Sequence, residues 1–127
     1  MAESTGMRNI SFALTTAQFR SRTKHVTRRR GWWDLEPEDE LMGVEKSQGL
    51  KKGEKVVRLG AIRIADVRIE PLSRIEREPE YGRHEMILEG FPGLHPAEFV
   101  YWFCLSHKCK PWDEINRIEY SYMGPAA

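Results

Sequence analysis

VVRLGAIRIADVRIE, residues 56–70, carries the strongest strand signal in the sequence, and the fold turns on how it is read. Val57, Leu59 and Ala61 share one parity, and Val67 and Ile69 return to it. Ile62 and Ile64 fall on the other. Successive side chains of a strand point to opposite faces. A strand that is apolar on both faces must be covered on both. A small closed barrel meets that condition, and Gly60 marks a bend in it.

Working outward, Ile10, Phe12 and Leu14 alternate with polar or small neighbours, which predicts a half-buried strand over 9–14. Thr15 or Thr16 is placed to cap a short helix, TTAQFRSR. Residues 25–29 are extended, EPEDE (36–40) is a turn or loop, and DELMGVEK (39–46) is a second strand. SQGLKKGEK (47–55) is a glycine- and lysine-rich connector. The charged segment 72–88 holds a short helix near 83–88. GLHPAEFVYWFCLSHK (93–108) reads as a helix, with His95 in the capping slot, Pro96 first and Glu98 third. Its Phe99, Trp102 and Phe103 share one face, the spacing of core residues. In NRIEYSYM (116–123), Ile118, Tyr120 and Tyr122 turn inward against Arg117, Glu119 and Ser121. These elements predict an α+β fold, a small β-barrel of about five to six strands with two or three flanking helices. The domain runs over 9–123, between tails at 1–8 and 124–127.

A chain of 127 residues, 40% hydrophobic, fits one domain with a modest core. The formal charge is only +1, so no global polycation drives binding. The charges come in blocks. Residues 20–30 hold Arg20, Arg22, Lys24, Arg28, Arg29 and Arg30 without an acid, 34–45 are acidic, and 46–68 turn basic again. No run of about 18 apolar residues exists to span a membrane. The polar N-terminus lacks the apolar core of a signal peptide. The expectation is a cytoplasmic protein, monomer or weak dimer, with no membrane partner, whose Cys104 and Cys109 are reduced thiols. Cys104, His107 and Cys109 offer three zinc ligands at most, and a fourth would have to come from His84 or His95. No metal or cofactor is therefore expected.

Arg22, Thr23, Lys24, His25, Val26, Thr27, Arg28 and Arg29 follow the first helix and resemble the G-x-K-x-x-T-x-R segment of ASCH domains, a branch of the PUA-like barrels. Lys24, Thr27 and Arg29 match, and Arg22 stands where the family has Gly. LEPEDEL (35–41) resembles the family's L-x-P-G-D-x-L turn, with Glu38 in place of Gly. With EGF (89–91) ahead of the helix, the resemblance covers residues 9–123. It implies a PUA-like (ASCH) barrel with a cleft for a modified nucleoside or RNA. Some small bacterial members are amidohydrolases that remove the acetyl group from N4-acetylcytidine. The resemblance implies a catalytic set of Lys24, Thr27 and Glu89, with Glu85 as the competing assignment for the glutamate.

Amide hydrolysis needs a nucleophile, a base and an oxyanion stabiliser. In this scheme Thr27 is the nucleophile or positions a water, Lys24 is the base, and Glu89 either shuttles the proton or, by pairing with Lys24, cancels the lowering of its pKa. Lys24 can act near neutrality only if its pKa falls from about 10.4 to roughly 7–8. Burial beside Arg22, Arg28 and Arg29 pushes that way. In a regular strand residues 24 and 27 face apart, so Lys24 must lie in the turn before the strand. Arg22 and Arg29 are candidates for substrate binding; Trp32 and Trp33 are placed to stack a base, with core packing of at least one as the alternative. Arg28, Arg30, Lys51 and Lys52 are candidates for RNA phosphates. A solvated cationic surface, a non-catalytic RNA-binding module and a domain with a vestigial cleft remain the alternatives. His25 adjoins Lys24, and His25, His84 and His95 otherwise read as polar surface or cap groups.

Overall fold

The computed structural model describes residues 7–125. The elements run β1 (Arg8–Ser11), α1 (Thr16–Arg20), β2 (Val26–Arg29), β3 (Glu40–Val44), β4 (Arg58–Pro71), α2 (Arg74–Arg77), α3 (Pro79–Glu89), α4 (Pro96–His107) and β5 (Glu114–Tyr122). The five strands form one sheet in the order β1-β3-β4-β5-β2. β1 is parallel to β3, and every other pairing is antiparallel. The sheet is a mixed half-barrel whose two edges, β1 and β2, do not pair. Arg29 bridges them instead: its Nη2 donates to the Ser11 carbonyl at 2.6 Å.

The long strand is covered only in part: Ile62 and Ile64 are buried, Ile69 is 56% exposed, and a bulge breaks the alternation between them. Ile64 pairs with Tyr120 and Val67 with Ile118, so three steps on β4 match two on β5. The extra residue, at Ala65, flips the parity and returns Val67 to the face of Ile62 and Ile64. Inside the half-barrel, Ile10, Phe12, Phe19, Leu41, Ile62, Ile64, Ile118 and Tyr120 make one core. On the opposite face Leu72, Ile75, Met86, Phe99, Val100, Phe103 and Ile115 make a second core beneath the helices.

Residues 72–88 differ most from expectation. They form two helices, α2 and α3, rather than one short one. α3 docks largely through ions. Arg68, Arg117 and Arg28 stand side by side across β4, β5 and β2, on the helical face of the sheet. Glu85 and Glu89, four apart on α3 and so on one helix face, reach down to two of them. Arg117, expected to face outward, is therefore buried. Glu70 completes the layer, accepting from Arg28, Arg68, Arg74 and Tyr81.

α4 begins as its sequence reads. His95 Nδ1 accepts from the Ala97 amide, and Glu98 accepts from the His95 amide. β1 takes in Arg8, one residue before the expected domain start. Residues 1–6 and 126–127 of the expected tails lie outside the described residues. Among the described residues no helix is long and apolar enough to cross a membrane.

Candidate active site

A cavity of about 220 Å³ opens at the seam between the sheet edges. One wall is the chain leaving β1, from Ser11 to Thr15, with Thr27 and Arg29 of β2. The other is aromatic: Phe91, Phe99, Trp102, Phe103 and His107. Lys24, Arg28 and Glu89 lie between them. The resemblance thus selects four residues, Lys24, Thr27, Arg29 and Glu89, that the fold brings into one cavity.

Lys24 reaches it because it is not in the strand. It occupies the turn between α1 and β2, so it shares the cavity with Thr27 despite the odd spacing. EGF supplies the other side. Glu89 ends α3, and Gly90 follows at φ 94°. A Cβ on Gly90 would lie 2.8 Å from Gln18 Cγ and 3.4 Å from Lys24 Cβ. Only glycine both takes the left-handed turn and lets α1 and Lys24 approach. Phe91 then enters the aromatic wall.

The Lys24 side chain is 3% exposed. Its Nζ donates to Glu89 Oε1 at 2.6 Å and to the Glu89 carbonyl at 3.0 Å. Burial pushes the ammonium below its ordinary pKa, the Glu89 carboxylate pulls it back, and the Arg29 and Arg28 charges add to the lowering. The net direction is the one a base requires. Arg29 Nε donates to Thr27 Oγ1 at 2.9 Å, and its guanidinium lies over the Phe12 ring. That bond uses a lone pair of the hydroxyl and leaves its proton to be given elsewhere.

Glu85, the competing glutamate, does not line the cavity. It holds Arg117 through both carboxylate oxygens and Arg28 through one. Burial alone would raise its pKa, but the hydrogen bond from Arg117 and the Arg28 charge outweigh it and hold it at about 2. An acid so strongly held is a poor proton carrier at neutral pH.

Several expectations are corrected. Arg28 faces the helical layer, not phosphate: its guanidinium is buried against Glu70, Glu85 and Glu89. Arg22 leaves the cavity, donating to the carbonyls of Gly124 and Pro125 and lying over Tyr122. Trp32 packs on the half-barrel core beneath Arg8, outside the cavity. Trp102, assigned to the core by its spacing, is 37% exposed and lines the cavity, while Phe99 and Phe103 are buried. Helical spacing finds the packed face, but not which member stands at its edge. Arg30, Lys51 and Lys52 are exposed and do not line the cavity.

The His25 ring packs edge-on to Tyr122, and His84 is exposed. His107 stacks on Phe103, and the Cys109 thiol hydrogen-bonds that of Cys104 at 4.0 Å. Among the described residues no group of three His, Cys, Asp or Glu side chains could hold a metal ion. Two buried polar atoms, Arg28 Nε and the Tyr120 hydroxyl, have no hydrogen-bond partner among the described residues.

The chain matches no family model, no curated protein and no solved structure.

Proposed function

We propose that this protein is an ASCH-type amidohydrolase that removes an acyl group from N4 of a cytidine or a related modified nucleoside. The observation that carries the reading is the buried Lys24–Glu89 pair, 2.6 Å apart in the cavity that Thr27 and Arg29 also line. Two backbone features support it. The residues standing where the resembling motifs have Gly are both left-handed, Arg22 at φ 59° and Glu38 at φ 80°. The turns those glycines would serve are kept although the glycines are not.

Thr27 Oγ1 attacks the acyl carbon, and its proton passes to the neutral Lys24 amine. The oxyanion accepts hydrogen bonds from Arg29. Collapse breaks the bond to N4, and the proton passes from Lys24 through Glu89 to the leaving amine. Water then hydrolyses the acyl-threonine with Lys24 again as base, releasing the carboxylic acid and restoring Thr27. In a variant of the scheme Thr27 holds the attacking water. The cavity is smaller than the roughly 300–1,000 Å³ usual for drug-sized ligands. It suits one substituted base, with the sugar left at the mouth beside Leu14 and Trp102.

The test is incubation with a panel of N4-acylated cytidines followed by chromatography. Wild type is expected to release cytidine, and Lys24→Ala to lose at least about 10²-fold in rate, the lower range for a general base. No turnover on any member overturns the reading. Salt-dependent RNA affinity that survives Thr27→Ala would then favour the non-catalytic RNA-binding module.

A further inference from the structure

The proposed chemistry uses Lys24, Thr27, Arg29 and Glu89, yet the ion cluster continues beneath them. Glu89 does not belong to Lys24 alone. Its Oε2 accepts from Arg28 Nη1 at 3.0 Å while Oε1 accepts from Lys24 at 2.6 Å. Arg28 is itself divided, with Nη2 donating to Glu85 at 2.6 Å and to Glu70 at 3.3 Å. All of these side chains are 5% exposed or less. Charges so close and so dry act on one another with little screening. A lysine paired with an undivided carboxylate keeps its proton, and one whose carboxylate is shared with a guanidinium releases it more readily.

We propose that Arg28 is a positioning residue for the Lys24–Glu89 pair, fixing the Glu89 carboxylate from the helical side and dividing its charge so that the Lys24 amine can serve as a base. Glu85 sets how much of Arg28 is available to Glu89. The other groups facing Lys24 are Arg29 and Thr27 on β2, Tyr122 on β5, whose hydroxyl donates to the Lys24 carbonyl, and Phe91, whose ring centroid is 6.0 Å from Nζ. None of these lies on the path from Glu85 through Arg28 to Glu89.

The inference rests on the reading of Lys24 as a base, but its test does not use turnover. The Lys24 titration is followed by 15N NMR of lysine-labelled protein, its signal assigned by its loss in Lys24→Gln. Arg28→Gln is expected to raise the Lys24 midpoint by about one pH unit or more, in line with the 1–3 units of a close charge. Glu85→Gln frees Arg28 for Glu89 and is expected to lower it. A midpoint unmoved in either variant that folds, or moved in the opposite direction, overturns the proposal. A merely structural Arg28 predicts such an unmoved midpoint. Where Arg28→Gln fails to fold, Glu85→Gln alone decides. Absence of turnover on acylated cytidines would sink the amidohydrolase reading and leave these shifts standing.

Discussion

At the scale of single residues, Arg29 does the most with one side chain. It donates Nε to Thr27 Oγ1, donates Nη2 to the Ser11 carbonyl and covers Phe12. Lysine carries the charge but not the planar fork, so it cannot make both bonds at once. Under the proposed reaction, with Arg29 as oxyanion donor, Arg29→Lys is expected to lower kcat on an N4-acylated cytidine by about 10²–10³-fold, the usual loss for one such donor. Steady-state kinetics check this, and an unchanged kcat would remove Arg29 from the mechanism. That Lys24, Thr27 and Glu89 share one cavity was legible through a motif resemblance, because a motif names residues directly. For Trp32 the sequence left stacking and core packing open, because an aromatic beside a basic run carries no mark of which surface it covers, and the fold packs it on the half-barrel core. Arg28 was misplaced because a strand's alternation says that it faces away from Thr27, not what waits there.

At the scale of elements, two left-handed positions make opposite predictions. Glu38, at φ 80°, spends its side chain in solvent, 83% exposed. A non-glycine residue in that region costs about 1–2 kcal/mol, partly offset by the unfolded-state freedom that glycine adds. Glu38→Gly is expected to leave stability unchanged or raise it by up to about 1 kcal/mol. Gly90→Ala adds both the strain and the contact with Gln18. It is expected to destabilise by at least about 1–2 kcal/mol. Urea unfolding measures both, and a stable Gly90→Ala would show that α1 and α3 yield to each other. The strands and α4 were readable because period and capping residues are local. α3 was readable only in part, as the short helix near 83–88 inside Pro79–Glu89, since it lacks a clear apolar stripe. The resemblance picks out Glu85 and Glu89, but nothing local shows that they are held by Arg28 of β2 and Arg117 of β5 beneath them.

At the scale of the molecule, the helical layer is joined to the sheet by an ion network as well as by a hydrophobic core. Removing one member of a buried pair costs more than the pair contributes, because the other charge is stranded. Acid does the same by protonating carboxylates. Glu85 is held at about 2 in the fold against an ordinary value of 4.5, and Glu70 is lowered too, by Tyr81, Arg68, Arg28 and Arg74 against its burial. A lowered folded pKa gives stability that is fully present above the unfolded pKa and lost as pH falls toward the folded one. Urea midpoints are expected to hold above about pH 5 and to fall between about 4.5 and 2, with Glu85 alone accounting for on the order of 3 kcal/mol. A midpoint flat to pH 2.5 would mean that the carboxylates are not held as described.

The sequence by itself determined the strands, the capped helix and, through a motif resemblance, four of the residues that line the seam cavity, Lys24, Thr27, Arg29 and Glu89. Each of these is written in local period, in a capping residue or in a short motif. Only the tertiary structure decided that the barrel stays half open with Arg29 across its edges, that a bulge turns Val67 to the inner face, and that Arg28 sits between three glutamates. A buried charge can be recognised only through its partners. Those of Arg28 lie 42, 57 and 61 residues away along the chain, too far for any local pattern to record.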